Sequence, residues 1–131
     1  MDTVAEEIIA MEKAALNRWG KGDPDGFLEI CTPDVVYFDP YLEMRVDGLS
    51  ALTALYETIR GQVRFDRFEL LNPHVQVSAD LVVLTFNYVS YTGDQTSRWN
   101  CTEAYRREPD SRWRIVQTHW SYTNVFKYRK G

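Results

Sequence analysis

The stretch 97–124 constrains this chain most. Its side chains alternate between apolar and polar with a period of two, interrupted once at 108–111. That pattern reads as two long antiparallel strands joined by a tight turn. If the turn pairs Arg107 with Trp113, then Glu103 faces Gln117 and Cys101 faces His119. A two-residue turn at Gly93-Asp94, with glycine first as a type II′ turn prefers, adds a third strand and sets Tyr88 beside Trp99 and Leu84 beside Glu103. One sheet face then carries Leu84, Phe86, Tyr88, Trp99, Cys101, Glu103, Tyr105, Trp113, Ile115, Gln117 and His119. It is apolar with three polar intrusions, and a carboxylate there needs a hydrogen bond, a partner or a proton. The opposite face carries Arg98, Asn100, Thr102, Arg106, Arg114, Val116, Thr118, Trp120 and Tyr122.

Upstream the periodicity is helical. Val4, Ile8, Met11, Ala15 and Trp19 recur at three- and four-residue spacing, which predicts a helix over 3–20 with Thr3 and Glu6 as a capping box. Asp23-Pro24 opens a second short helix, with Asp23 as N-cap, running to about Cys31, where Thr32-Pro33 stops it. Val35 to Asp39 is a short strand and 41–46 a possible return. A third helix starts behind Ser50 and ends at Gly61. Strands follow over 63–77, 81–91, 96–107 and 112–123, the first bent at Pro73. Helices first and an antiparallel meander afterwards predict one α+β domain over 1–131, about three N-terminal helices packing on one face of the sheet.

Composition limits the function. The net charge of −4 and the absence of a basic stripe argue against nucleic acid; Lys127, Arg129 and Lys130 form only a short basic tail. No run is apolar enough for a membrane span or a signal peptide, and Cys31 and Cys101 fit neither a disulfide framework nor a zinc site. The expectation is a cytoplasmic protein with buried thiols, no metal and no cofactor. Four Trp, eight Tyr and six Phe supply core, pocket or interface. Trp19, Tyr88, Trp99 and Trp113 are candidate aromatic walls for a flat ligand. The outer row of Arg98, Thr118, Trp120 and Tyr122 has the composition of a homodimer interface.

Four segments carry a family resemblance: Gly22-Asp23-Pro24-Asp25-Gly26, Val35-Val36-Tyr37-Phe38-Asp39-Pro40, Val46-Asp47-Gly48 and Trp113-Arg114-Ile115-Val116-Gln117-Thr118-His119-Trp120-Ser121. With the order of elements, they resemble the nuclear transport factor 2-like superfamily. That superfamily includes SnoaL-like cyclases, ketosteroid isomerases and the association domain of calcium/calmodulin-dependent kinase II. The resemblance implies a cone-shaped α+β fold whose curved sheet and helices enclose a pocket.

Two positions resemble the steroid isomerase pattern. Asp39, before Pro40, falls where that family has its general-base aspartate. Glu103 falls where it has a protonated acid that donates to the developing oxyanion. The family's oxyanion tyrosine on the first helix is replaced by Ala15, so Tyr37, Tyr41 or Tyr88 would have to substitute. An Asp before Pro is also a common turn former. His119 is a candidate proton relay or an orienter of Glu103. Gln117 completes the polar lining. The implied function is cofactor-independent isomerisation, cyclisation or dehydration of a small hydrophobic carbonyl compound. The alternative is a non-catalytic ligand-binding or oligomerisation module.

Overall fold

Helix α1 spans Val4–Trp19 because Thr3 closes its N-terminus and its apolar stripe has a core to meet. The Thr3 hydroxyl accepts from the Glu6 amide at 3.1 Å, and Ile8 and Leu16 are fully buried. A computed structural model describes residues 3–123; Asn124 and the predicted basic tail of Lys127, Arg129 and Lys130 lie outside the described residues. Helix α2 covers only Asp25–Leu28, with the Asp23 carboxylate accepting from the Asp25 amide. It is shorter than predicted, since Cys31, Thr32 and Pro33 belong to a strand, β1 (Cys31–Phe38). The register of β1 slips between Cys31 and Val36, and that irregularity accommodates Pro33, which cannot donate to a ladder.

A two-residue strand, β2 (Val46–Asp47), pairs back on β1. Helix α3 (Leu49–Glu57) follows directly from Gly48, whose φ of 91° makes the sharp entry, so Ser50 lies inside the helix and is not its cap. The meander is β3 (Arg67–Ser78), β4 (Leu81–Thr92), β5 (Gln95–Arg107) and β6 (Trp113–Tyr122). The bend at Pro73 is a register shift between Leu71 and His74, with Asn72 at φ 52°. Gly93, at φ 57°, makes the two-residue turn that pairs Thr92 with Gln95.

The six strands form one sheet in the order β2-β1-β6-β5-β4-β3. The sheet is mixed where an antiparallel one was expected, because β1 runs parallel to β6. The helices cover its inner face, where Val82, Leu84, Tyr105 and Ile115 meet Ile8, Leu16 and Leu52.

The predicted registers of β4 on β5 hold: Tyr88 faces Trp99 and Leu84 faces Glu103. Arg107 also faces Trp113, but the pairing of β5 with β6 then shifts. Tyr105 faces Ile115 while Ala104 faces Gln117, leaving Val116 as an extra residue. A bulge of one residue turns every later side chain to the opposite face. Glu103 therefore faces Thr118, Cys101 faces Trp120 and Trp99 faces Tyr122, all on the inner side. Gln117 and His119 are on the outer side beside Ala104 and Thr102. The expected outer interface loses Thr118, Trp120 and Tyr122 and keeps Arg98.

Two glycines lock the α1–α2 turn to the loop after α3. The Gly61 amide donates to the Gly22 carbonyl at 2.8 Å, with φ of 84° at Gly22 and 81° at Gly61. A Cβ on Gly22 would stand 2.9 Å from the Gly61 Cα. Gly22→Ala is therefore expected to destabilise the protein by about 1–3 kcal/mol, read from the urea midpoint.

Candidate functional site

A cavity of about 500 Å³ lies between the helices and the inner sheet face. Its walls come from α1 (Leu16, Trp19), α3 (Leu55, Tyr56), β4 (Tyr88, Ser90) and β5–β6 (Trp99, Trp120). The rim is made by Asp39–Leu42 and by the 59–65 loop with Gln62, Val63 and Arg64. Nine of the lining residues are aromatic, and the volume falls in the range of small-molecule sites.

Of the sequence candidates, Asp39, Trp19, Tyr37, Tyr41, Tyr88 and Trp99 line this space. Tyr41 stands at the rim, 70 % exposed, with its ring edge-on to Trp99 and Tyr122. Four candidates do not line it. Trp113 is buried under the far end of the sheet, with the Arg107 guanidinium over its ring. Gln117 and His119 were turned outward by the bulge; His119 is exposed and its ring lies 4.9 Å from that of Phe38. Glu103 points inward but is sealed in the core behind the cavity wall, with no exposed surface.

Asp39 is held by two donors. The Tyr41 amide donates to Oδ1 at 2.8 Å, which is the turn expected of an Asp before Pro. The Tyr37 hydroxyl donates to Oδ2 at 2.7 Å. A carboxylate has about four lone-pair sites, so both oxygens retain room to accept a further proton. The Tyr56 ring meets Tyr37 edge-on, with centroids 5.6 Å apart. Burial, and then the Asp39 charge, pushes the Tyr37 phenol upward; burial, and then Tyr37, does the same for Tyr56. Both phenols stay protonated and serve as donors at neutral pH. Tyr56 was hidden in the sequence because its spacing from Leu52 and Ile59 is that of an ordinary buried helix face.

Ala15 has a structural reason for being small. Helix α2 crosses α1 at Gly26, where a Cβ would lie 3.2 Å from the Ala15 Cα and 3.1 Å from the Arg18 side chain. Ala15 is buried at 2 % exposure, and Leu16 and Trp19 are the α1 residues that reach the cavity.

Behind the wall lies a second polar group. The Trp120 indole N–H donates to the Thr118 hydroxyl at 2.9 Å, and that hydroxyl donates to Glu103 Oε2 at 2.6 Å. On α1, the fully buried Glu12 accepts from the Tyr105 hydroxyl at 2.7 Å. The remaining oxygens, Glu12 Oε2 and Glu103 Oε1, have no hydrogen-bond partner among the described residues unless one of the two carboxyls carries a proton. Donor atoms of Glu12, Glu103 and Cys101 lie within 4.8 Å of one another. Two charged carboxylates this close in a dry core repel each other strongly, so a proton is shared between them. Burial, and then the Glu103 charge, raises Glu12 well above the usual carboxylate range. Burial raises Glu103 as well, opposed by hydrogen bonds from Glu12, Thr118 and Cys101. The Cys101 thiol is pushed well up by burial, then by Glu103 and Glu12, which favours the neutral thiol over a metal-binding thiolate. Glu12 had one mark in the sequence: a charge on the apolar face of α1, four residues from both Ile8 and Leu16.

The comparisons with known proteins agree with this architecture. A family model for the SnoaL-like domain matches residues 13–118. A crystal structure from Parabacteroides distasonis ATCC 8503, described as a candidate ketosteroid isomerase, is 44 % identical; the match covers 95 % of this chain and 91 % of that one, with a TM-score of 0.87. A nuclear transport factor 2-like protein of unknown function from Pseudomonas putida KT2440 is 28 % identical, covering 92 % and 88 %, with a TM-score of 0.79. The calcium/calmodulin-dependent kinase II hub of S. rosetta shares the fold at 20 % identity, covering 94 % and 99 %, with a TM-score of 0.76. No curated protein matches the sequence. This chain belongs to the SnoaL-like domain family.

Proposed function

We propose that this protein is a cofactor-independent acid/base catalyst that enolises a hydrophobic carbonyl compound bound in the cavity, in an isomerisation, cyclisation or dehydration. The observation that carries this is Asp39, a carboxylate in the lining of an aromatic cavity, oriented by the Tyr37 hydroxyl and the Tyr41 amide. Asp39 takes the proton from the carbon next to the carbonyl, and the electron pair of that C–H bond forms the enolate. Tyr56 is the phenol available to donate to the enolate oxygen, since the single O–H of Tyr37 is held by Asp39. The proton on Asp39 then returns at another carbon, or goes to the alkoxide formed when the enolate attacks an internal carbonyl, or to the hydroxide expelled from the β-carbon, which leaves as water. Glu103 and His119 have no direct part, since neither lines the cavity. The test is hydrogen–deuterium exchange at the α-carbon of a panel of cyclic ketones and enones, followed by NMR. Buffer-level exchange across the panel removes the catalytic proposal.

A second reading is favoured by the sealed position of Glu103: without a protonated carboxyl in the cavity to donate to an oxyanion, the protein binds its ligand without turnover. In that reading the outer sheet face, with Phe38 at 37 % exposure beside His119, is the assembly surface. Ligand binding without exchange supports it.

A further inference from the structure

Most arginines among the described residues are paired, Arg64, Arg98 and Arg112 being the exceptions, and of these three only Arg64 lines the cavity. Arg18, Arg45, Arg60, Arg106, Arg107 and Arg114 each hold a carboxylate within 3 Å. Arg64 lines the cavity and has no carboxylate within ion-pair distance among the described residues, Asp39 included. Its position is built into the fold. The backbone of Arg64 bridges to Lys21, the next residue's amide donates to the Gly20 carbonyl at 3.1 Å, and the Arg64 carbonyl accepts from the Thr92 hydroxyl at 3.4 Å. Its guanidinium lies over Gly22, where a Cβ would come within 3.3 Å of it. Glycine at that place leaves the guanidinium its seat, and Gly22 and Gly61 hold the loop that carries it.

We infer that the natural ligand carries an anionic group of the carboxylate type, held by Arg64 at the rim. This rests on the cavity's being the substrate site. A guanidinium presents a planar fork that matches a carboxylate with two parallel hydrogen bonds. Asp39 repels an anion, so the charged end of the ligand sits at the Arg64 loop and the apolar body lies along Tyr88, Trp99 and Trp120. The protein's overall charge of −4 offers no general attraction to anions, which makes a local cation the discriminating group. The substrate class is then an aromatic or fused-ring carbonyl compound bearing a carboxylate, with its acidic C–H toward Asp39.

Two probes of one shape separate the possibilities: 2-naphthoate and its neutral analogue 2-naphthamide, titrated by calorimetry at low ionic strength. Arg64 is exposed, so wild type is expected to bind naphthoate about fivefold more tightly than naphthamide, the upper scale of an exposed ion pair. Arg64→Gln is expected to erase that preference by weakening naphthoate more than naphthamide, and Arg64→Lys to restore part of it. Equal binding of the two probes by wild type, or a preference that survives Arg64→Gln, overturns the inference and leaves the cavity reading intact. Binding of neither probe overturns both.

Discussion

Asp39→Asn is expected to lower α-carbon exchange or enone isomerisation by about 10²- to 10⁴-fold, the range that a positioned general base contributes. The amide is close in shape: its oxygen can still accept from the Tyr41 amide, and its NH2 can donate to the Tyr37 oxygen, so the turn before Pro40 persists. What it loses is the capacity to take a proton at neutral pH. Tyr37→Phe separates positioning from proton transfer. It removes the donor to Oδ2 and leaves the ring in its edge-on contact with Tyr56. A loss of about tenfold in kcat with KM little changed is expected, the low end for a hydrogen bond to a charged group, worth about 1.5–3 kcal/mol, because Tyr56 remains beside the site. Steady-state kinetics on whichever substrate shows exchange provides the check. An Asp39→Asn variant with wild-type turnover places the chemistry elsewhere.

The sequence carried the secondary structure and fold family well, because the signals that set them are local. Thr3 at the helix start, Pro73 in a strand and Gly93 in a two-residue turn each act within a few residues. The site was harder to read for a specific reason. Val116 is a good strand former and gives no sign of a bulge, yet that single extra residue exchanges the faces of everything after it. Gln117 and His119 thus left the inner face, and Thr118 and Trp120 entered it. Asp39, Tyr37 and Tyr41 precede the bulge and were positioned by their own short turn, so their proximity was legible. The parallel pairing of β1 with β6 joins segments about 80 residues apart and has no local signature. Glu12 and Glu103 belong to different elements, and only the packing of α1 on the sheet brings them together.

That buried pair should dominate the pH dependence of stability. Both carboxyls bind their protons more tightly in the folded protein than in the unfolded chain, where a glutamate titrates near pH 4.3. Above that pH the folded state therefore holds more protons than the unfolded one. The stabilising contribution is complete below about pH 4.3 and is lost as pH rises toward the raised folded values, with a limiting slope of about 1.4 kcal/mol per pH unit for each proton. Surface acids work in the opposite sense: arginines hold Asp34 and Asp110 at about 2, and their contribution is lost only in acid. Urea unfolding at pH 5 and pH 8 lies above that region and reports the pair. Wild type is expected to be less stable at pH 8 than at pH 5. Glu12→Gln can accept from Tyr105 through its carbonyl and donate to Glu103 through its amide, replacing the shared proton with a permanent donor. It should fold, and show a shallower decline between the two pH values. Glu12→Ala leaves the Tyr105 hydroxyl and Glu103 without that partner in a dry core, at a cost of about 3–5 kcal/mol. Because Glu103 anchors Thr118, and Thr118 anchors the Trp120 indole, the Ala variant should also shift the tryptophan emission while Glu12→Gln leaves it in place. A Gln variant with the wild-type pH slope would mean that Glu12 does not hold the shared proton.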